Sequence, residues 1–142
     1  PLEGELAALA EQLGIDDSVR FLGVRDDVPF LLKAMDVFIF PSTKEGLAMA
    51  AVEAQASGMP CVMSTGVPER AVASEKVVRI PLSEGAAAWA SEAASLYRQT
   101  CETGRTDSTA QVRDCGFDIR QTARRLQIFY ERIATGEKGV RF

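Results

Sequence analysis

Two glutamates eight positions apart, Glu45 and Glu53, are the residues best placed for chemistry. Glu45 stands in a short loop, Pro41-Ser42-Thr43-Lys44-Glu45-Gly46, that leaves the apolar run Asp36 to Phe40 (DVFIF). Gly46 to Ser57 is rich in alanine, leucine, methionine and glutamate, all good helix formers, and Gly58 supplies its stop. A helix predicted there opens on the free N–H groups of Leu47, Ala48 and Met49. Such a terminus favours anions, a diphosphate above all. Gly46, with no side chain, lets backbone approach a ligand closely.

If the helix starts at Gly46, Glu53 lies about two turns in, roughly 12 Å along the axis from Glu45. That span suits the two ends of a nucleotide sugar, because one carboxylate can accept from both hydroxyls of a vicinal diol. A pair acting as direct acid and base would sit closer, within about 10 Å across one bond. The competing reading of Glu53 is a solvated helix former. Its neighbours at helical spacing, Met49, Ala50, Ala56 and Ser57, indicate instead a closely packed helix, where a carboxylate needs partners.

The elements around this loop alternate. Leu2, Leu6, Leu9, Ala10 and Leu13 follow a helical period ended by Gly14. Ser18 to Gly23 (SVRFLG) reads as a strand, and Asp26 or Asp27 can cap a helix through Val28, Leu31, Leu32 and Met35. Asp36 to Phe40 is apolar enough for a strand covered on both faces. Pro60 to Met63 (PCVM) and Val77 to Leu82 (VVRIPL) are two more strands, with a loop at Ser64 to Pro68. Strand and helix in alternation with short links predict an α/β fold with a parallel, Rossmann-like sheet and flanking helices. Beyond Ser83 the pattern is helical. Trp89, Ala93, Leu96 and Tyr97 share one face, and Ile119, Ala123, Leu126, Tyr130 and Ile133 another; both stripes read as core packing rather than a cofactor site. Gly104 to Ser108 reads as a loop.

Composition sets limits. The chain has 142 residues, the size of one domain, with 46% hydrophobic and 25% charged residues, the values of an ordinary globular protein. A net charge of -4 offers no field for a nucleic-acid backbone, so nucleic acid is not an expected partner. Histidine is absent and the three cysteines, Cys61, Cys101 and Cys115, have no CxxC spacing, which argues against a His/Cys zinc site and fits a reducing cytoplasm. Cys61, inside an apolar run, reads as an inert core thiol. No stretch reaches the roughly 20 apolar residues of a membrane span, and no signal peptide is visible. Attachment to the periphery of the inner membrane stays open to a longer form.

These runs together resemble one family. EGLAMAAVE at Glu45 to Glu53 is similar to the E-x7-E motif of retaining GT-B glycosyltransferases, family 4 in particular. VRFLG at Val19 to Gly23, DVFIFPS at Asp36 to Ser42, EAQASGMPCVMS at Glu53 to Ser64 and VPERAV at Val67 to Val72 follow in that family's order, and GFDI at Gly116 to Ile119 resembles the tail of its bacterial exopolysaccharide branch. The resemblance covers nearly the whole chain. It implies a partial nucleotide-sugar (donor) binding domain over residues 1–142, ending in C-terminal helices from about 84 onward. It implies that Glu45, in the catalytic position, contacts hydroxyls of the donor sugar, that Gly46, Leu47 and Ala48 offer backbone amides to sugar or diphosphate, and that Glu53 binds the ribose. Val24 and Arg25 fall where such enzymes hold the nucleobase. The implied donor is a UDP- or GDP-sugar, transferred with retention to a glycan or lipid-linked acceptor without a cofactor or metal.

The match departs at Ala48, where the family usually carries glycine or proline, and at the start. Pro1-Leu2 resembles the end of a Gly-x-Gly-Pro-Leu turn, so the family's opening strands, its diphosphate-neutralising Arg and Lys loop and its N-terminal acceptor domain are expected to be missing, and the chain alone to be inactive in transfer. In a sheet of order 3-2-1-4-5-6, VRFLG and DVFIF would then pair directly or fill the gap by association with another copy. Two other classes remain: a non-catalytic nucleotide-sugar-binding or assembly module, and a sugar-nucleotide epimerase on the same fold.

Overall fold

A computed structural model describes residues 2–137, 139 and 141. It is an α/β fold with a Rossmann-like, three-stranded parallel sheet flanked by helices. The sheet has the order β1-β2-β3, with β1 at Phe38–Phe40, β2 at Cys61–Ser64 and β3 at Val77–Ile80. Phe38 pairs with Cys61, and Cys61 with Val77, so all three strands point the same way and their carboxyl ends share one edge. The chain reaches β1 through α1 (Leu2–Gln12) and α2 (Val28–Ala34), then crosses to β2 through α3 (Met49–Ala56). After β3 come α4 (Gly85–Thr103), α5 (Thr109–Asp114) and α6 (Ile119–Ala134).

The central strand organises the core. Every residue of β2 is buried, and the period of two sends Cys61 and Met63 into the cluster on the α3 side and Val62 into the cluster with Trp89 and Leu96 of α4. Trp89 donates its indole N–H to the Pro81 carbonyl at 3.3 Å, which fixes the start of α4 against the end of β3. The stripe on α4 is therefore core at Trp89, Ala93 and Leu96, while Tyr97 stays exposed. Burial pushes the Cys61 thiol up to about 12, so it is an inert packing group, as its apolar neighbours in sequence indicate.

α3 is held by its own polar residue. Gln55 is wholly buried; its amide nitrogen donates to the carbonyls of Ala51 (2.9 Å) and Ala71 (2.7 Å), and its oxygen accepts from the Ala73 amide (2.7 Å). One side chain thus satisfies the backbone of the segment that leads back into β3. At the other side of the helix Gly58, at φ +77°, lies so close to the Thr106 carbonyl that a Cβ would stand 2.0 Å from its oxygen.

Four expectations are corrected. Ser18 to Gly23 is not a strand: Asp16–Ser18 is a turn of 3-10 helix, and beyond it Val19 is extended with no ladder partner among the described residues, its carbonyl taken by the Arg20 guanidinium at 2.9 Å. β-branched and aromatic residues favour extension, but a strand exists only where a neighbour supplies N–H and C=O groups. Direct pairing of this run with β1 is likewise overturned, since β1 is paired on one side, by β2. β1 is also shorter than Asp36 to Phe40 and is covered on one face only. Ile39 is 49% exposed, over a shallow apolar cavity bounded by Pro41, Leu82 and Trp89. Lastly, the α6 stripe is not core, with Ile119 at 78% and Tyr130 at 61% exposed. Periodicity shows that a helix is amphipathic, not that a partner face meets it. The leucines of α1 are exposed in the same way.

Candidate functional site

Pro41 has no N–H to continue the ladder of β1, and the chain turns away from the sheet there. The loop that follows is tied down from two sides. The Ser42 hydroxyl donates to Oε1 of Glu45 at 2.8 Å, with a longer approach to the Lys44 carbonyl at 3.4 Å. The Ser42 carbonyl in turn accepts from the hydroxyl of Ser64, the last residue of β2. Gly66 presses on the same loop, with room for no side chain: a Cβ would lie 2.3 Å from the Thr43 carbonyl oxygen. Arg70 donates to the Gly46 carbonyl at 2.7 Å. Arg79 of β3 holds the second loop through the carbonyls of Val67 (2.6 Å) and Thr65 (3.1 Å). The loop carrying Glu45 is thus fastened to the loop after β2, and that loop to β3.

The helix entrance differs from the sequence expectation. α3 begins at Met49 rather than Gly46, because Ala48 takes the left-handed conformation, φ 56° and ψ 53°, which breaks the helical path. Among the described residues it is the sole non-glycine with positive φ, a strain of about 1–2 kcal/mol for an L-residue. Leu47 and Ala48 therefore precede the helix. The amides of Gly46, Leu47, Ala48, Met49 and Ala50 donate no hydrogen bond among the described residues; the first to be satisfied is Ala51, bonded to the Ala48 carbonyl at 2.9 Å. A run of free N–H groups at a helix start is what an anion requires.

Glu53 is the fifth residue of α3, just over one turn from its start, about 6 Å at 1.5 Å per residue rather than two turns. It is exposed and makes no hydrogen bond or ion pair among the described residues, while the opposite face, Ala51, Val52, Ala54 and Gln55, is buried. The helix is closely packed as expected, yet its carboxylate is in water and needs no partner. It borders a cavity of about 550 Å³ between α2, α3 and the loop before α5, together with Pro29, Leu32, Lys33 and Asp107.

Among the described residues, no hydrogen bond or ion pair joins Val24 or Arg25 to this loop. Val24 is fully exposed. The Arg25 guanidinium is paired with Asp27 through bonds of 2.7 and 2.6 Å; each partner shifts the other, the arginine up and the carboxyl down. Asp27 does stand at the N-cap of α2, but its side chain makes no cap bond. The carboxylate is turned to Arg25 instead.

Sequence reasoning missed the residues that hold α3. Besides Gln55, Arg105 in the loop before α5 donates to the carbonyls of Leu32 (2.5 Å), Lys33 (3.2 Å), Met35 (2.8 Å) and Ser57 (2.9 Å), and to the Ser57 hydroxyl (2.7 Å). It closes the carboxyl ends of α2 and α3 together, where a cation also meets the negative ends of two helix dipoles. Among the described residues no three His, Cys, Asp or Glu side chains gather as a metal site would need, and no helix is long and apolar enough to cross a membrane.

The family described as glycosyl transferases group 1 matches residues 1–99. A Bacillus subtilis (strain 168) protein named as a glycosyltransferase, EpsF, is 42% identical over 91 residues, covering 63% of this chain and 24% of that protein. The UDP-Gal:alpha-D-GlcNAc-diphosphoundecaprenol alpha-1,3-galactosyltransferase of Escherichia coli is 54% identical over 52 residues, 37% of this chain and 13% of its own. The D-inositol 3-phosphate glycosyltransferase of Salinispora arenicola (strain CNS-205) is 34% identical over 134 residues, 91% of this chain and 30% of its own. The chain thus spans less than a third of the length of these relatives.

Proposed function

The chain belongs to the glycosyl transferases group 1 family, and from that premise we propose that it binds the donor in a glycosyltransferase acting on a nucleotide-diphosphate sugar. The observation that carries the reading is the entrance to α3. There a carboxylate fixed by Ser42 stands directly before five unbonded amides, at the carboxyl edge of a parallel sheet. Ligands of open parallel sheets bind at that edge.

In this reading the diphosphate lies on the amides of Gly46 to Ala50, a set that extends two residues beyond the Gly46, Leu47 and Ala48 of the family motif. Glu45 accepts hydroxyls of the donor sugar, and Glu53, exposed one turn along the same helix, accepts the ribose diol. Val24 and Arg25 reach the base through backbone groups, since the Arg25 side chain is spent on Asp27. The helix start would stabilise the charge that builds on the leaving diphosphate, and the fixed loop would supply positioning. We further propose retention of configuration, a UDP- or GDP-sugar donor, no metal requirement, and a glycan or lipid-linked acceptor bound by a separate domain. The E. coli relative acts, by its name, on a diphosphoundecaprenol-linked sugar. That name supports a lipid-linked acceptor and a place near the inner membrane.

The test uses the full-length protein with a panel of UDP- and GDP-sugars, comparing Glu45→Gln and Glu53→Gln with the parent. The expected result is a loss of at least about a hundredfold in kcat/KM for Glu45→Gln, in the range for removal of a group acting on the transition state. Glu53→Gln should mainly raise KM for the donor. If both variants used every donor as the parent does, the reading would be wrong.

A further inference from the structure

We propose that Ser42 is a positioning residue for Glu45, and that Ser64 and Gly66 extend its hold back to the central strand; this rests on the donor-binding reading of Glu45. A glutamate in a surface loop has three rotatable bonds and samples several rotamers. Here the Ser42 hydroxyl, three residues earlier, donates its one proton to Oε1 at 2.8 Å and so selects one arrangement. Oε2 accepts no bond among the described residues and remains available to a ligand hydroxyl.

The origin of that hydroxyl is itself fixed. Ser42 cannot swing away, because its carbonyl accepts from Ser64, a residue 1% exposed at the end of β2. Gly66 keeps the two loops in backbone contact, its position 3.1 Å from the Ser42 carbonyl oxygen for a would-be Cβ. The chain of contacts runs from the fully buried strand to the first carboxylate of the site without a flexible link. The terminal Ser42–Glu45 bond joins two loop side chains and spans no secondary elements, so its removal should leave folding stability almost unchanged. That separates positioning from a merely structural role.

The experiment measures kcat and KM for the best UDP- or GDP-sugar donor in the full-length protein carrying Ser42→Ala, Ser42→Thr, Glu45→Gln and the double change Ser42→Ala with Glu45→Gln. Ser42→Ala is expected to lose roughly tenfold in kcat/KM, the scale of one hydrogen bond to a charged group, with its melting temperature kept. Ser42→Thr, which retains the hydroxyl, should recover most of it. In the Glu45→Gln background the serine change should cost less than about twofold, because the residue acts through the carboxylate. Full activity in Ser42→Ala, or the same loss whether or not Glu45 is intact, would overturn the proposal while a damaged Glu45→Gln left the donor reading standing. An undamaged Glu45→Gln would remove this inference, and the donor reading would fall with it only if Glu53→Gln were undamaged too.

Discussion

The two ends of α3 are built on opposite principles. Its carboxyl end is closed: Arg105 donates to the Ser57 carbonyl and to carbonyls of α2, the amides of Ser57, Gly58 and Met59 return to the Glu53, Gln55 and Ala54 carbonyls, and Gly58 is packed against backbone. At its amino end Ala48 is strained and five successive amides have no partner among the described residues. A helix of eight residues cannot stand alone in water. Closure at one end and the buried Gln55 along its side are what permit the other end to stay unsatisfied. Satisfied and unsatisfied backbone are divided along about 12 Å of helix.

This contrast can be broken from the closed end first. Gly58→Ala places a methyl group 2.0 Å from a carbonyl oxygen at a φ of +77°, and we expect it to cost roughly 3 kcal/mol or more, strain and displacement of the Arg105 loop together. Urea denaturation followed by circular dichroism gives the value. A cost under about 1 kcal/mol would mean that the loop does not secure the helix. At the open end Ala48→Gly should be far smaller. Relief of left-handed strain, about 1–2 kcal/mol, is offset by about 0.4–1 kcal/mol of unfolded-state entropy and by about 0.8 kcal/mol for a buried methyl. A net change within about 1 kcal/mol follows from these opposing terms, and the same denaturation series measures it. A loss above about 2 kcal/mol would show that the entrance is held by packing rather than strained.

What could be read from the sequence divides along similar lines. Gly14 and Gly58 end helices where their conformational freedom places them, and the β2 and β3 runs are strands because their apolar residues enter a sheet between helices. The Glu45 loop was legible because proline, serine and glycine mark a break after an apolar strand. The α3 start was not: in a run of good helix formers no residue type announces that Ala48 will turn left-handed. Arg105 was hidden for another reason. Its partners are backbone carbonyls up to 73 positions away, and a carbonyl leaves no mark in a sequence. SVRFLG failed as a strand, and α6 as a core helix, because propensity and periodicity describe one element while pairing and burial need two.

The open amino end of α3 is the central claim, and amide NMR of the 15N-labelled protein titrated with UDP tests it most directly. The account predicts saturable shifts concentrated at Gly46, Leu47, Ala48, Met49 and Ala50 and reaching Glu53, with Gly58 unmoved. Unmoved amides from Gly46 to Ala50, with the largest shifts at the carboxyl end of the helix, would contradict it.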